Sequence, residues 1–287
     1  MNAEPFSIEG QTQEQPASGS NRFGITFMSA PYIPHLTKPS GKDTMFLTLS
    51  GTRSSAPEDE YGIVPTAAER AGDFSAAGLP AIYDPTTLQQ FTSNGTANVI
   101  PAARISPQAA ALLAYYPEPN ITPSGTDNNN YHLLTTAQTN TTQAGVRYMR
   151  SLGANATQPG GGRGGGGRRN TNQGLRQSIT ANYNWSHSAA DSTNIFPQLG
   201  GKTSSGSNSV QAGYTLGYHK VTSIFNAGWN RSNSEASNFF TNGVDIATQV
   251  GILGPNGTAL NASPLNYGLP QVALSDFTGL SEKQPSL

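Results

Sequence analysis

Apolar and polar residues alternate along five stretches of the chain, the period-two signal of a strand with one greasy face. Phe23, Ile25 and Phe27 share one face of 22–28, and Met45, Leu47 and Leu49 share one face of 44–51. The clearest stretch is 177–186, where Ile179, Ala181, Tyr183 and Trp185 alternate with Ser178, Thr180, Asn182, Asn184 and Ser186. In 210–218, Val210, Ala212, Tyr214, Leu216 and Tyr218 stand against Gln211, Gly213, Thr215 and Gly217. In 222–232, Phe225, Ala227 and Trp229 stand against Asn226, Gly228, Asn230 and Ser232, with Ile224 breaking the pattern once.

These stretches have the ~7–11 residue length of a tilted strand crossing a bilayer. Their polar faces are Ser, Thr, Asn, Gln and Gly, where the wet face of a soluble sandwich usually carries Lys and Glu. Trp185, Tyr218 and Trp229 sit near strand ends, the place of the aromatic girdles in outer-membrane barrels. Two readings stay open at this level: girdle aromatics facing lipid, or ordinary core aromatics of a soluble β-protein.

Between the second and third stretches, 52–170 reads as one long loop, well beyond the usual connection in a compact domain. It holds two short helices. In PTAAERAGDF, Thr66 and Glu69 form a capping box and Gly72 is the stop. In ISPQAAALLAYYP, Ser106 is the N-cap, Pro107 takes the first helical position and Pro117 terminates. The second half of the loop is polar and low in complexity, ending in GGGRGGGGRRN at Gly160–Asn170, with too few apolar residues to offset the entropy of ordering. Residues 1–20 read as a disordered or remnant segment, and the tail from Ser237 has one helical turn around Val244–Ile252.

Composition narrows the class. Only 11% of the 287 residues are charged and 35% are hydrophobic, against about 25% charged in ordinary soluble domains. No run reaches the ~20 apolar residues of a spanning helix. There is no cysteine, hence no disulfide framework and no thiolate metal site. A net charge of −1 gives no global attraction to nucleic acid. The glycine-arginine stretch lacks the aromatics that stack bases, so it reads as a connector and no nucleic-acid partner is expected. It matches a dinucleotide-binding fingerprint only because nearly every position is glycine; it neither follows a strand nor opens a helix. His35, His132, His187 and His219 are scattered, and DNNN at Asp127–Asn130 lacks the spaced carboxylates of a calcium loop. No catalytic residue, cofactor or metal ligand is assigned, and the chain is not expected to be an enzyme.

The order of particular segments carries a family resemblance. NRFGITF is followed by PYIPHL, TMFLTLSGTRS and VPTAAERAGDFS, then by IYDPTT, NVIPAARISPQAAALLAYYPEPN and NNNYH. Further on come YNWSHSAADSTNIFPQLGG and LPQVALSDFTGLSEKQPSL. From about Asn21 to Leu287 the chain resembles the Oar-like TonB-dependent outer-membrane receptors abundant in acidobacteria. One departure is MSAPYIP at Met28–Pro34, where members carry GGPxxIP.

The resemblance implies the first part of a large transmembrane β-barrel, an all-β antiparallel fold over 21–287. Full members add a signal peptide, a regulatory-like domain and a plug that contacts TonB, none of which is visible in these residues. Five strands cannot close where such transporters use ~22, so an incomplete barrel is expected. The implied location is the outer membrane, with lipid as one partner, the TonB system as another in the full-length parent, and an unknown transported ligand. The candidates for facing lipid are Ile179, Ala181, Tyr183, Trp185, Tyr214, Leu216, Tyr218, Phe225 and Trp229. The implied function is uptake of a large nutrient such as a siderophore or glycan. The alternative is a secreted or surface β-rich adhesion module. Long loops of such barrels lie outside the cell, so 52–170 as a whole, including Arg163–Arg169, is expected there.

Overall fold

Where alternation sets one apolar edge on each strand, neighbouring strands can align those edges while the backbone groups pair laterally. The computed structural model describes residues 18–31, 40–76, 79–124, 128–153 and 175–286. In chain order the elements are β1 (Gly19–Ser29), β2 (Asp43–Gly62), α1 (Ala67–Arg70), β3 (Thr92–Ser93), β4 (Thr96–Ala97), α2 (Pro107–Leu113) and β5 (Tyr131–Leu152). There follow β6 (Arg176–Ser192), β7 (Gly201–Tyr218), β8 (Val221–Asn238), α3 (Ile246–Gln249), β9 (Val272–Leu274) and β10 (Phe277–Leu280).

Six of these form one antiparallel sheet in the order β1-β2-β5-β6-β7-β8. The pairing registers run without a bulge. The sheet is open among the described residues. β1 and β8 are its edges, and Ser286 makes a single antiparallel bridge to Ala236 on the outer side of β8. No described helix is long and apolar enough to cross a membrane.

All five expected strands are present, each longer than its alternating stretch. β2 has 20 residues, β6 17, and β7 and β8 18 each. Gly19 and Ser20, assigned above to a disordered segment, begin β1; residues 1–17 lie outside the described residues. One correction is larger. The stretch 52–170 is not a single loop, because the 22-residue β5 runs through it between β2 and β6. Its side chains gave little warning: YHLLTTAQTNTTQAG is Thr-rich with no sustained alternation. It is a strand because both neighbours offer it a complete hydrogen-bonding edge.

That crossing also separates two segments. The chain leaves β2 and enters β5 at one end of the sheet, where Gly62 faces Tyr131. It leaves β5 and enters β6 at the other end, where Leu152 faces Gln177. The insert 63–130 and the glycine-rich segment are therefore attached at opposite ends. Gly160–Asn170 itself lies outside the described residues.

The two helices in the insert form as their caps dictate. Thr66 accepts from the Glu69 amide while the Glu69 carboxylate accepts from the Thr66 amide, and Gly72 ends the turn at φ +85. Ser106 caps α2, with Pro107 in its first turn. The expected turn in the tail is α3.

Together the insert, the link after β6 and the residues after β8 build a cap at one end of the sheet. Its core joins Val64, Tyr116, Tyr131, Phe196, Leu199, Ile246, Leu269 and Leu280. Phe196, Leu199, Leu280 and Val64 are fully buried, each contributing about 1.5–3 kcal/mol of burial free energy. Polar clasps fix the segments. Asn130 receives the Val64 amide and donates to the Val64 carbonyl, both at 2.7 Å. Arg70 donates to the carbonyls of Pro65, Leu113, Tyr116 and Pro117. Asn238 receives the Phe240 and Thr241 amides and donates to Glu282 and to the carbonyls of Tyr267 and Lys283.

Candidate functional site

Directly paired residues of antiparallel strands point to the same face, so the registers sort every side chain of the sheet. One face carries Phe23, Ile25 and Phe27 on β1, Met45, Leu47 and Leu49 on β2, and Ala144, Val146 and Tyr148 on β5. It continues through Ile179, Ala181, Tyr183 and Trp185 on β6, Val210, Ala212, Tyr214, Leu216 and Tyr218 on β7, and Val221, Phe225, Ala227 and Trp229 on β8. All nine candidates named from the sequence fall on this face. Tyr214 and Leu216 are half-buried, and the other seven are exposed. The contribution of β5 was missed, although Ala144, Val146 and Tyr148 do alternate with Gly145, Arg147 and Met149. Three positions are too short a run to stand out from the polar sequence before them.

The band crosses the sheet obliquely. The row through Phe23, the upper apolar limit on β1, reaches Asn233 on β8, four residues beyond the upper limit there at Trp229. The row through Phe27, the lower limit on β1, reaches Trp229, eight residues beyond the lower limit at Val221. Over five interstrand steps, about 24 Å, the limits thus shift by about 13 and about 26 Å. The corresponding slope is about 30–50°, bracketing the ~35–45° strand tilt of membrane barrels. On β8 the band spans about 26 Å along the strand, or about 20 Å along the membrane normal at a tilt of about 40°, close to the ~25 Å apolar belt of such barrels. Trp185 and Trp229 mark the cap-side border, and Tyr148 and Tyr218 the opposite one.

Beyond the cap-side border the same face turns polar and charged. Arg53, Asp59, Asp191, Lys202, Arg231 and Glu235 all lie there. His187 is on this face, stacked on Trp185 with ring centroids 6.3 Å apart. Ser186 faces the other way, so these neighbours in sequence do not meet as a nucleophile and its base. His132 stacks on Tyr61 at 4.3 Å and contacts Asp59 at 2.7 Å. No group of three or more metal-binding side chains occurs among the described residues.

The other face is mainly polar, with Met28, Phe46, Leu133, Met149 and Ile224 as its large apolar residues. Arg176 is its only charge on β6, β7 and β8; elsewhere those strands present chiefly hydroxyls, amides and glycine. A shallow trough of about 720 Å³ on this face is lined by Ser186, Ser205, Ser207, Ser232 and Ser234. Ser186 and Ser207 hydrogen-bond at 2.9 Å, as do Thr141 and Ser188 at 3.1 Å.

The cap has a cleft of its own, about 550 Å³, between α1, α2 and the β9–β10 hairpin. Phe74, Ile100, Leu113 and Leu274 are among its walls. Of its four charged residues, Glu69 is engaged in the helix cap, Arg70 on carbonyls and Arg104 on Asp84 at 2.9 Å, and the fourth is Asp276. Nearby in the cap, Glu282 is half-buried; desolvation pushes its carboxyl up to about 7, opposed by the Leu269 amide.

A sheet with a tilted greasy belt on one face and hydroxyls on the other is the expected wall between lipid and a watery interior. The comparisons with known proteins agree. The family model described as outer membrane beta barrel domain matches residues 1–287. No curated protein and no solved structure matches the chain. The chain belongs to the outer membrane beta barrel domain family, and its place is the outer membrane.

Proposed function

We propose that this domain is part of the wall of a TonB-dependent transporter of the Oar-like type, which takes up a large nutrient such as a siderophore or glycan. The observation that carries the reading is the two-faced sheet: one face suits lipid over an oblique belt, while the other is mainly hydroxyls, amides and glycine on β6–β8. Strands of 17–22 residues on β2 and β5–β8 exceed the ~9–11 needed to cross a bilayer. They carry the cap well beyond the belt, where a ligand would first be met. In this reading the cap with the insert 63–130 lies outside the cell, and the segment 154–174, joined at the far end, faces the periplasm. This reverses the side on which the sequence alone put Arg163–Arg169.

Two measurements test the reading. Protease applied to intact cells should cut within the cap and spare Arg163–Arg169; cleavage only at those arginines would invert the topology. Deleting the coding segment should abolish protonophore-sensitive uptake of one member of a panel of labelled ferric siderophores and oligosaccharides. Unchanged uptake across the panel would remove the transport role.

A further inference from the structure

From the charge distribution across the two faces we infer that the interior wall made by β6, β7 and β8 selects a neutral, polyhydroxylated solute, a sugar chain rather than an ionic cargo. The inference rests on the transporter reading and narrows its substrate class.

On these three strands the charges are segregated by face. Asp191, Lys202, Arg231 and Glu235 all point outward beyond the greasy belt. The inward face has Arg176 alone, at the end away from the cap. Between that arginine and the cap lie Ser178, Thr180, Asn182, Asn184, Ser186 and Ser188 on β6. Facing them on β7 are Thr203, Ser205, Ser207, Ser209, Gln211 and Thr215. β8 continues the surface with Asn226, Asn230, Ser232 and Ser234. Outward charge shows that these strands tolerate ionised residues, so a general depletion does not account for the bare inner wall.

The physical consequence concerns what a solute gives up on touching the wall. The Ser186–Ser207 trough lies two same-face positions beyond Asn182 and its β5 neighbour Arg147. An ion that sheds water there against hydroxyls and amides recovers only dipoles, and no counter-charge within the trough lining offsets its desolvation. A sugar hydroxyl sheds water and recovers a hydroxyl or amide of equal kind, near break-even for each exchange. Each serine is one donor and two acceptors. The Ser186–Ser207 pair at 2.9 Å therefore keeps capacity to spare for a ligand after bonding to itself. Strand spacing of ~4.8 Å and a same-face repeat of ~6.7 Å turn these groups into a regular lattice. The lattice is concave at the Ser186, Ser205, Ser207, Ser232 and Ser234 trough, whose volume of about 720 Å³ accommodates an oligosaccharide segment.

Saturation-transfer NMR on the purified full chain, folded in detergent, tests this with two trisaccharides: neutral maltotriose and the tricarboxylate trigalacturonate. Maltotriose should receive saturation and trigalacturonate should not. The double substitution Ser186→Val and Ser207→Val should weaken maltotriose binding roughly tenfold, the loss of about two modest hydrogen bonds. Ser207→Lys should switch on the trigalacturonate signal. Equal or stronger saturation of trigalacturonate by the unmodified chain overturns the proposal, with no dependence on whether the variants fold. So does a lack of signal from either sugar, or a maltotriose signal that survives loss of both hydroxyls. Flotation of the same chain with phospholipid vesicles separates the two levels. Flotation without sugar binding sinks this inference alone, and failure to float sinks the membrane-wall reading beneath it.

Discussion

Phe225 and Ile224 are neighbours on β8 with nearly equal exposure in the open sheet, 61% and 62%. The registers put them on opposite faces: Phe225 opposite Tyr214 on the greasy belt, Ile224 opposite Thr215 on the hydrophilic side. Phe225 lies midway between the belt limits at Val221 and Trp229, about 13 Å along the strand from each. An arginine there stands at the membrane midplane. Charge on the lipid face at that depth costs about 2–4 kcal/mol, against little on the interior face, where Arg can reach water. Phe225→Arg should therefore raise the free energy of the vesicle-inserted state by that amount, a shift of roughly 30- to 700-fold toward the unfolded chain. Ile224→Arg should shift it by less than about 1 kcal/mol. The assay is urea unfolding of the vesicle-inserted chain, followed by fluorescence of the two tryptophans, both at the belt border and neither altered by the substitutions. Equal losses from the two variants, or a greater loss from Ile224→Arg, would refute the assignment of faces.

Three further outcomes are expected. A Cβ at Gly51 would stand 2.5 Å from the Phe23 ring and 2.9 Å from the Thr141 carbonyl oxygen; the ring can swing aside but the backbone cannot, so Gly51→Ala should cost about 1–3 kcal/mol in the same unfolding assay. Asn130→Ala removes both bonds to the backbone of fully buried Val64; stranding that amide and carbonyl should cost the cap about 1–3 kcal/mol, read as a lower melting midpoint of the near-ultraviolet signal from its packed tyrosines, with an unchanged midpoint counting against the clasp. The folded-state pKa of Glu282, about 7, lies above its ordinary 4.5. The native cap thus prefers the protonated acid, and this contribution is full below pH 4.5 and lost as pH rises through 7. Cap melting midpoints should fall across that window, and Glu282→Gln should flatten the slope; a slope unchanged in that variant assigns the pH dependence to another group.

Residues of the chain differ in how much they revealed before folding. The stripe Ile179–Trp185 and the caps at Thr66 and Ser106 were legible because their causes are local: strand pleat sends alternate side chains to opposite faces, and a cap needs only residues within one turn. The polar upper halves of β2, β6, β7 and β8 were not legible. With polar or charged residues on both faces they have no apolar alternation, and they are strands because each lies beside another. The cap core was equally hidden, since Val64, Tyr116, Phe196, Ile246 and Leu280 come from segments far apart in the chain and none has a periodic neighbourhood.

By itself, then, the sequence determined the two-faced character of five strands, the low share of charge and the two helix starts. The tertiary structure decided the rest. It made β5 a strand, aligned six separate stripes into one tilted belt, and put the β5–β6 connection at the end opposite the insert. Those outcomes depend on lateral hydrogen bonds and register between strands, which belong to pairs of segments and are written in neither one alone.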